Sequence, residues 1–184
     1  IFYNCSSLTS IELPTGITKI PSKAFYECVS LKSIVLSKNL KLVGESAFFN
    51  CSNLGKLDLP NCIEEIGDNA LEGCTGISEI NVPISVKKIG RGFIKNCTSL
   101  EKLTVPFIGS EEDALNATHF GYFFGTLRMS TNNTLIPTSL KTVIITNATT
   151  IESSAFYYCK NIEELYLPNT LREVGKSAFL GCAN

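Results

Sequence analysis

The sequence predicts a β-rich solenoid, a stack of short coils joined by parallel strands and interrupted by one non-repeat insertion. Three observations lead there. Cys5, Cys28, Cys51, Cys74 and Cys97 recur every 23 residues, and Cys159 to Cys182 is 23 again, a period typical of repeat architectures. The same apolar skeleton surrounds each of these cysteines. The 184 residues are 44% hydrophobic, with 16 basic against 17 acidic side chains for a net charge of −1. That suffices for a core and leaves no excess of either sign.

The units follow in order. The first reads Cys5, Leu8, Ile11, Leu13, Pro14, Ile17, Ile20, Ala24, Phe25, and the second Cys28, Leu31, Ile34, Leu36, Leu40, Val43, Ala47, Phe48. The third gives Cys51, Leu54, Leu57, Leu59, Pro60, Ile63, Ile66, Ala70, Leu71. The fourth gives Cys74, Ile77, Ile80, Val82, Pro83, Val86, Ile89, with Phe93 and Ile94 for the Ala-Phe pair. The fifth starts with Cys97, Leu100, Leu103, Val105 and Pro106, then departs over Phe107 to Ile136. A weaker sixth unit keeps Leu140, Val143, Ile145, Ile151, Ala155 and Phe156, with Pro137 where the cysteine should stand. The last complete unit runs from Cys159 to Phe179.

Within a unit, L-x-x-I-x-L-P ends in the alternation of a strand and is stopped by proline. Stacked units pair these strands in parallel at about 4.8 Å. The following I-x-x-I/V-G puts two more apolar residues inward before a glycine suited to a turn or a positive φ, and A-F-x-x-C closes the coil. One unit cannot bury these residues alone, so stability is a sum over neighbours.

This template closely resembles the BspA-like leucine-rich repeats, a branch of the leucine-rich repeat superfamily found in surface proteins of oral and gut bacteria and of some parasitic protozoa. The resemblance covers residues 1–106 and 137–184, with 107–136 as the insertion. It implies a single right-handed leucine-rich repeat arc of the α/β class. It also implies an extracellular or cell-surface location and a role in adhesion or host-protein binding, and it carries over no catalytic residue. The chain opens inside one coil and ends two residues into another, so a segment of a longer array is expected.

The cysteines are read as packing. Equivalent positions stack about 4.8 Å apart, and their parallel Cα–Cβ vectors leave the Cβ atoms beyond disulfide range. Buried free thiols follow. With no C-x-x-C pair and a single histidine, His119, no metal site or other cofactor is expected. Cys62 lies off the period, in a small or polar slot shared with Gly16, Asn39, Ser85 and Thr170, and is expected to turn inward and hydrogen-bond a loop amide. A reactive thiol there is the alternative, but nothing basic flanks it to lower its pKa. N-x-S/T sequons occur at Asn4, Asn50, Asn96, Asn116, Asn132 and Asn147. Three of these are the repeat's own N-C-S/T, and glycosylation is not predicted from them.

Other functions are excluded in turn. Near-neutral charge without clustered Lys and Arg argues against nucleic acid. The longest apolar runs, such as Tyr122–Phe124, fall far below the roughly 18 to 20 residues that span a bilayer. The acids of Glu64-Glu65, Glu111-Glu112-Asp113 and Glu163-Glu164 read as solvated faces rather than as a catalytic set, so no enzyme is expected.

What remains is a binding surface for a protein or a glycan on a monomer. The outward residues of the strands form one candidate, comprising Glu12, Lys32, Lys56, Asp58, Glu79, Asn81, Lys102, Glu164 and Tyr166. Their mixed charge fits protein or glycan contact better than a polyanion. The insertion is the other, through Phe120, Tyr122, Phe123 and Phe124, which form an aromatic patch for a partner or fold back to cover the irregular sixth coil. A spacer with no ligand of its own is the alternative function.

Overall fold

The computed structural model describes residues 1–111 and 118–182. Glu112, Asp113 and the sequon at Asn116 lie outside the described residues. About seven coils stack, beginning at Cys5, Cys28, Cys51, Cys74, Cys97, Pro137 and Cys159, and are numbered here in that order. The Leu140 N–H donates to Pro137 O just as Leu31 N–H does to Cys28 O, so Pro137 does occupy the cysteine slot.

Coil 1 contributes β1 (Ser10–Glu12) and β2 (Lys19–Ile20), and coil 2 contributes β3 (Ser33–Val35) and β4 (Leu42–Val43). Coil 3 contributes β5 (Glu65–Ile66), coil 4 contributes β6 (Glu79–Asn81) and β7 (Lys88–Ile89), and coil 5 contributes β8 (Lys102–Val105). Coil 6 carries β9 (Thr142–Ile145) and β10 (Thr150–Ile151), and coil 7 carries β11 (Glu164–Tyr166) and β12 (Glu173–Val174). All pairings are parallel, as expected from the stacking. The larger strand face consists of β1-β3 and of β6-β8-β9-β11; a narrower face carries β2-β4-β5-β7 and β10-β12.

One expected strand is missing. Residues 55–60 of coil 3, which match the apolar template, form none, and the larger face is interrupted between β3 and β6. Gly55 stands where the neighbouring coils have Lys32 and Ser78. A glycine beside a strand loses backbone entropy and offers no side chain to pack across the ladder.

The core runs the length of the stack. Rings of the A-F segments form a column, Phe2 on Phe25 and Phe25 on Phe48, each stacked at 5.2 Å and nearly parallel. The repeat cysteines pack beside this column. Every cysteine is a free thiol. Cys28, Cys51, Cys74 and Cys97 each donate S–H at 3.0–3.2 Å to the carbonyl 26 residues earlier, on Phe2, Phe25, Phe48 and Leu71. Burial pushes the Cys97 thiol up to about 12 and raises that of Cys159 as well. Such thiols are poor nucleophiles.

The conserved-looking glycine after each narrow strand has a different role from the one expected. Gly44, Gly67, Gly90 and Gly175 do not have a positive φ. They sit against the preceding coil so closely that an added Cβ would lie 2.2–2.5 Å from the backbone nitrogens of Ser22, Glu45, Asp68 and Ser153. The left-handed residues are elsewhere, five positions before each cysteine and immediately before it, as at Lys23, Ser46, Asn69, Asn4, Asn50 and Asn96. Asparagine tolerates that region better than most residues, which accounts for the N-C-S/T sequons as backbone geometry.

Charges line up between coils at the repeat distance. Lys41 and Lys87 both reach Glu64, at 2.9 and 3.3 Å, Lys88 reaches Glu65, and Lys95 reaches the nearly buried Glu72 at 2.7 Å. Hydrogen bonds from Lys41 and then Lys87 hold the Glu64 carboxyl below its ordinary pKa. Among the described residues no helix is long and apolar enough to cross a membrane.

Candidate functional site

The outward positions of the larger face lie where the alternation puts them. Glu12, Lys32, Lys56, Asp58, Glu79, Asn81, Glu164 and Tyr166 are exposed and Lys102 is half-buried. They do not form one patch. Glu12 and Lys32 belong to the two-stranded sheet of coils 1 and 2, and Glu164 and Tyr166 to the far edge of the four-stranded sheet on β11. Tyr166 is about half exposed, at 53%.

Four candidates do converge. Lys56, Asp58, Glu79 and Asn81 surround a cleft of about 420 Å³ between coils 3 and 4, together with Gly55, Leu57, Leu59 and Ser78. This is where the strand face is interrupted. Lys56 Nζ is 2.9 Å from Asp58 Oδ1, and Glu79 Oε1 is 3.0 Å from Lys102 Nζ, which ties Lys102 to the same rim. Reading outward residues alone missed Gly55, Leu57 and Leu59. The available signal was Gly55, the one glycine at its repeat position among the first five units.

The insertion is core: of its two readings, the aromatics fold back onto the irregular coil, and Phe120, Phe123 and Phe124 form no exposed patch for a partner. Phe120, Phe123 and Phe124 have no accessible surface, and Tyr122 is half-buried. The segment Phe120–Phe124 forms a 3₁₀-helix that takes the place of the missing A-F pair. Phe120 stacks on Phe156 at 4.9 Å, and Phe123 meets Phe93 edge-on at 5.4 Å. Backbone bonds fasten both sides: Ile89, Gly92 and Ile94 N–H donate to Ser110, Tyr122 and Phe123 carbonyls, and Phe120 N–H donates to Ala155 O. The rings continue the core column across the irregular coil because only there can they leave water.

A polar latch completes this seat. Asn132 is fully buried; its Oδ1 accepts from Gly121 N–H at 2.9 Å and lies 2.7 Å from His119 Nδ1, and its Nδ2 donates to Ala155 O at 3.0 Å. Since Oδ1 is an acceptor, Nδ1 of His119 carries the proton. Burial lowers the His119 pKa, with the Asn132 hydrogen bond opposing it. Buried in this way, Asn132 cannot serve as a glycan acceptor in the folded chain.

Cys62 turns inward as expected. Its thiol donates toward Lys38 O and Leu40 O at 2.8 and 3.2 Å, the role played by the hydroxyls of Ser85 on Ile63 O and Thr170 on Ala148 O. Among the described residues no group of three or more His, Cys, Asp or Glu side chains is placed to hold a metal ion.

Comparison with solved structures places this fold. A leucine-rich repeat protein of T. pallidum is 23% identical, with a TM-score of 0.59 over 94% of this chain and 76% of that one. A leucine-rich repeat protein of Bacteroides ovatus is 21% identical with a TM-score of 0.51, over 97% and 66%. One from Eubacterium ventriosum is 18% identical with a TM-score of 0.55, over 94% and 42%. The chain therefore spans from under half to about three quarters of the length of these proteins. No curated protein matches it. The 23-residue units, the parallel coils and a match of residues 1–115 and 127–184 to six copies of the BspA type leucine rich repeat region together establish that this chain belongs to that family.

Proposed function

We propose that the chain is a non-enzymatic interaction module of an extracellular or cell-surface protein, binding a protein or a glycan through its larger strand face. The observation that carries this reading is the cleft between coils 3 and 4, which collects Lys56, Asp58, Glu79 and Asn81 from a face otherwise divided into separate sheets. A recessed, mixed-charge site on a rigid scaffold suits selective contact. The family resemblance supports the location and the adhesive role.

The spacer reading has its own support. Much of the surface charge is already paired within the chain, as in Lys102–Glu79 and Lys141–Glu163, which leaves less for a partner. A screen of extracellular proteins and glycans against the wild-type chain and a Lys56→Ala/Asp58→Ala/Glu79→Ala/Asn81→Ala variant separates the two. Binding by the wild type that drops at least about tenfold in the variant, with unchanged circular dichroism, is the expected result. No ligand favours the spacer, and equal binding by both places the binding site outside the cleft.

A further inference from the structure

The cleft between coils 3 and 4 differs from the rest of the surface in that its side chains are largely paired and its main chain is not. Lys56 faces Asp58, and Glu79 faces Lys102. Yet among the described residues no backbone hydrogen bond engages Lys56, Leu57, Asp58 or Leu59. On either side, β3 pairs only with β1 and β6 only with β8. The recess is therefore walled by the strandless segment of coil 3 on one side and by the free edge of β6 on the other.

Such edges are templates for another strand. Backbone donors and acceptors near the core are satisfied by protein, ordered water or ligand, and leaving one unpaired is costly. Leu57 below is 4% exposed and Ile80 is fully buried, so the floor is apolar while the walls carry amide groups. Proteins normally blunt an open edge with proline, a bulge or a covering segment. Here Pro60 comes only after the unpaired residues.

We propose that this cleft captures an extended peptide segment of a partner protein by main-chain hydrogen bonding to coil 3 and β6. The proposal rests on the interaction-module reading above and names the ligand class. Three features favour a peptide over a sugar. The free edge of β6 presents amide groups at the strand repeat of about 3.3 Å per residue, that of a peptide in strand conformation. No aromatic side chain lines the cleft on which a sugar ring could stack. Beside Gly55 nothing lies within 4 Å of where a Cβ would be, so a second backbone can approach the wall. On the rim Lys56 is paired with Asp58 and Lys102 with Glu79, which leaves the main chain as the part of the wall open to a ligand.

The test selects a displayed library of random peptides on the whole chain and resynthesises the enriched sequences with N-methyl groups on alternate amides. Methylation of either alternate set should weaken binding at least about tenfold, since one edge of the peptide faces coil 3 and the other faces β6. Gly55→Val, which restores a strand-forming side chain, should reduce the same affinity. Three outcomes overturn the inference. If binding is insensitive to both methylation sets but lost in Lys56→Ala/Asp58→Ala, side chains do the recognition. If no peptide is enriched while a glycan binds and that binding is lost in the four-residue alanine variant, the module stands and the peptide does not. If sedimentation shows a dimer that Asp58→Lys dissociates, a second copy of the chain covers the cleft.

Discussion

Coils 3 and 5 depart from the repeat in opposite ways. Coil 3 keeps every apolar position of the template, from Cys51 through Leu54, Leu57, Leu59, Ile63 and Ile66 to Ala70, and yet its wide strand is missing and the sheet stops on both sides. Coil 5 abandons the template after Pro106, and yet β8 pairs with β6 and β9 and the insertion bonds to coils 4 and 6. The inward residues decide whether a coil stacks. Whether its backbone joins the sheet depends on residues the template leaves free, such as Gly55. A segment of unrelated sequence can complete the core if it delivers rings to the column.

The sharpest test of this contrast lies in the insertion. Phe120→Ala should cost about 3–5 kcal/mol in chemical denaturation, because a fully buried ring is replaced by a cavity. Lys56→Ala with Asp58→Ala in coil 3 should stay within about 0.5 kcal/mol, an exposed pair being worth little. Similar losses in both would break the comparison.

Asn132→Ala comes next. It removes the acceptor of the buried Gly121 N–H and of His119 Nδ1–H, and a buried group left without its partner costs about 1–3 kcal/mol. A loss of less than about 1 kcal/mol would mean that the aromatic rings seat the insertion without the latch.

His119 adds a pH dependence of definite sign. Its pKa is lower in the folded chain than the ordinary 6.5, so the unfolded chain takes up the proton first. Stability is then full above the unfolded value and falls as pH drops through 6.5, until the folded value is reached. Urea midpoints measured across this range should slope for the wild type and flatten for His119→Gln.

The smallest effect is expected in coil 3. Gly55→Thr should stabilise by about 0.5–1 kcal/mol, through reduced unfolded-state entropy and strand preference, because a Cβ there meets nothing within 4 Å. In the wild type, the amides of Lys56–Asp58 should exchange with deuterium faster than those of Lys102–Thr104. Equal protection would mean that the cleft is closed in solution.

The period and the apolar skeleton made the coils, the parallel pairing and the inward cysteines legible, because one set of inward positions recurs at every cysteine. Asn4, Asn50 and Asn96 before their cysteines were also in view, but their left-handed backbone was not; the positive φ was assigned instead to the glycines that press against the coil before. The cleft was half legible. Lys56, Asp58, Glu79 and Asn81 followed from alternation, whereas the gap that gathers them depends on hydrogen bonds not made. The insertion's aromatics stayed ambiguous because a buried ring and an exposed one are written with the same residue. Only the empty Phe slot of coil 5, seen in three dimensions, separates the two.

The ion pairs at repeat distance constrain how such an array can grow. Lys41, Glu64 and Lys87 occupy one slot in three successive coils, with Glu64 bonded to both neighbours. Copying coil 3 in tandem would set carboxylate over carboxylate in that slot, whereas copying coils 3 and 4 together preserves the alternation of sign. The preference is small, because exposed pairs contribute about 0–1 kcal/mol each. It nevertheless makes two coils, not one, the genetic unit that duplicates without an electrostatic penalty in that column.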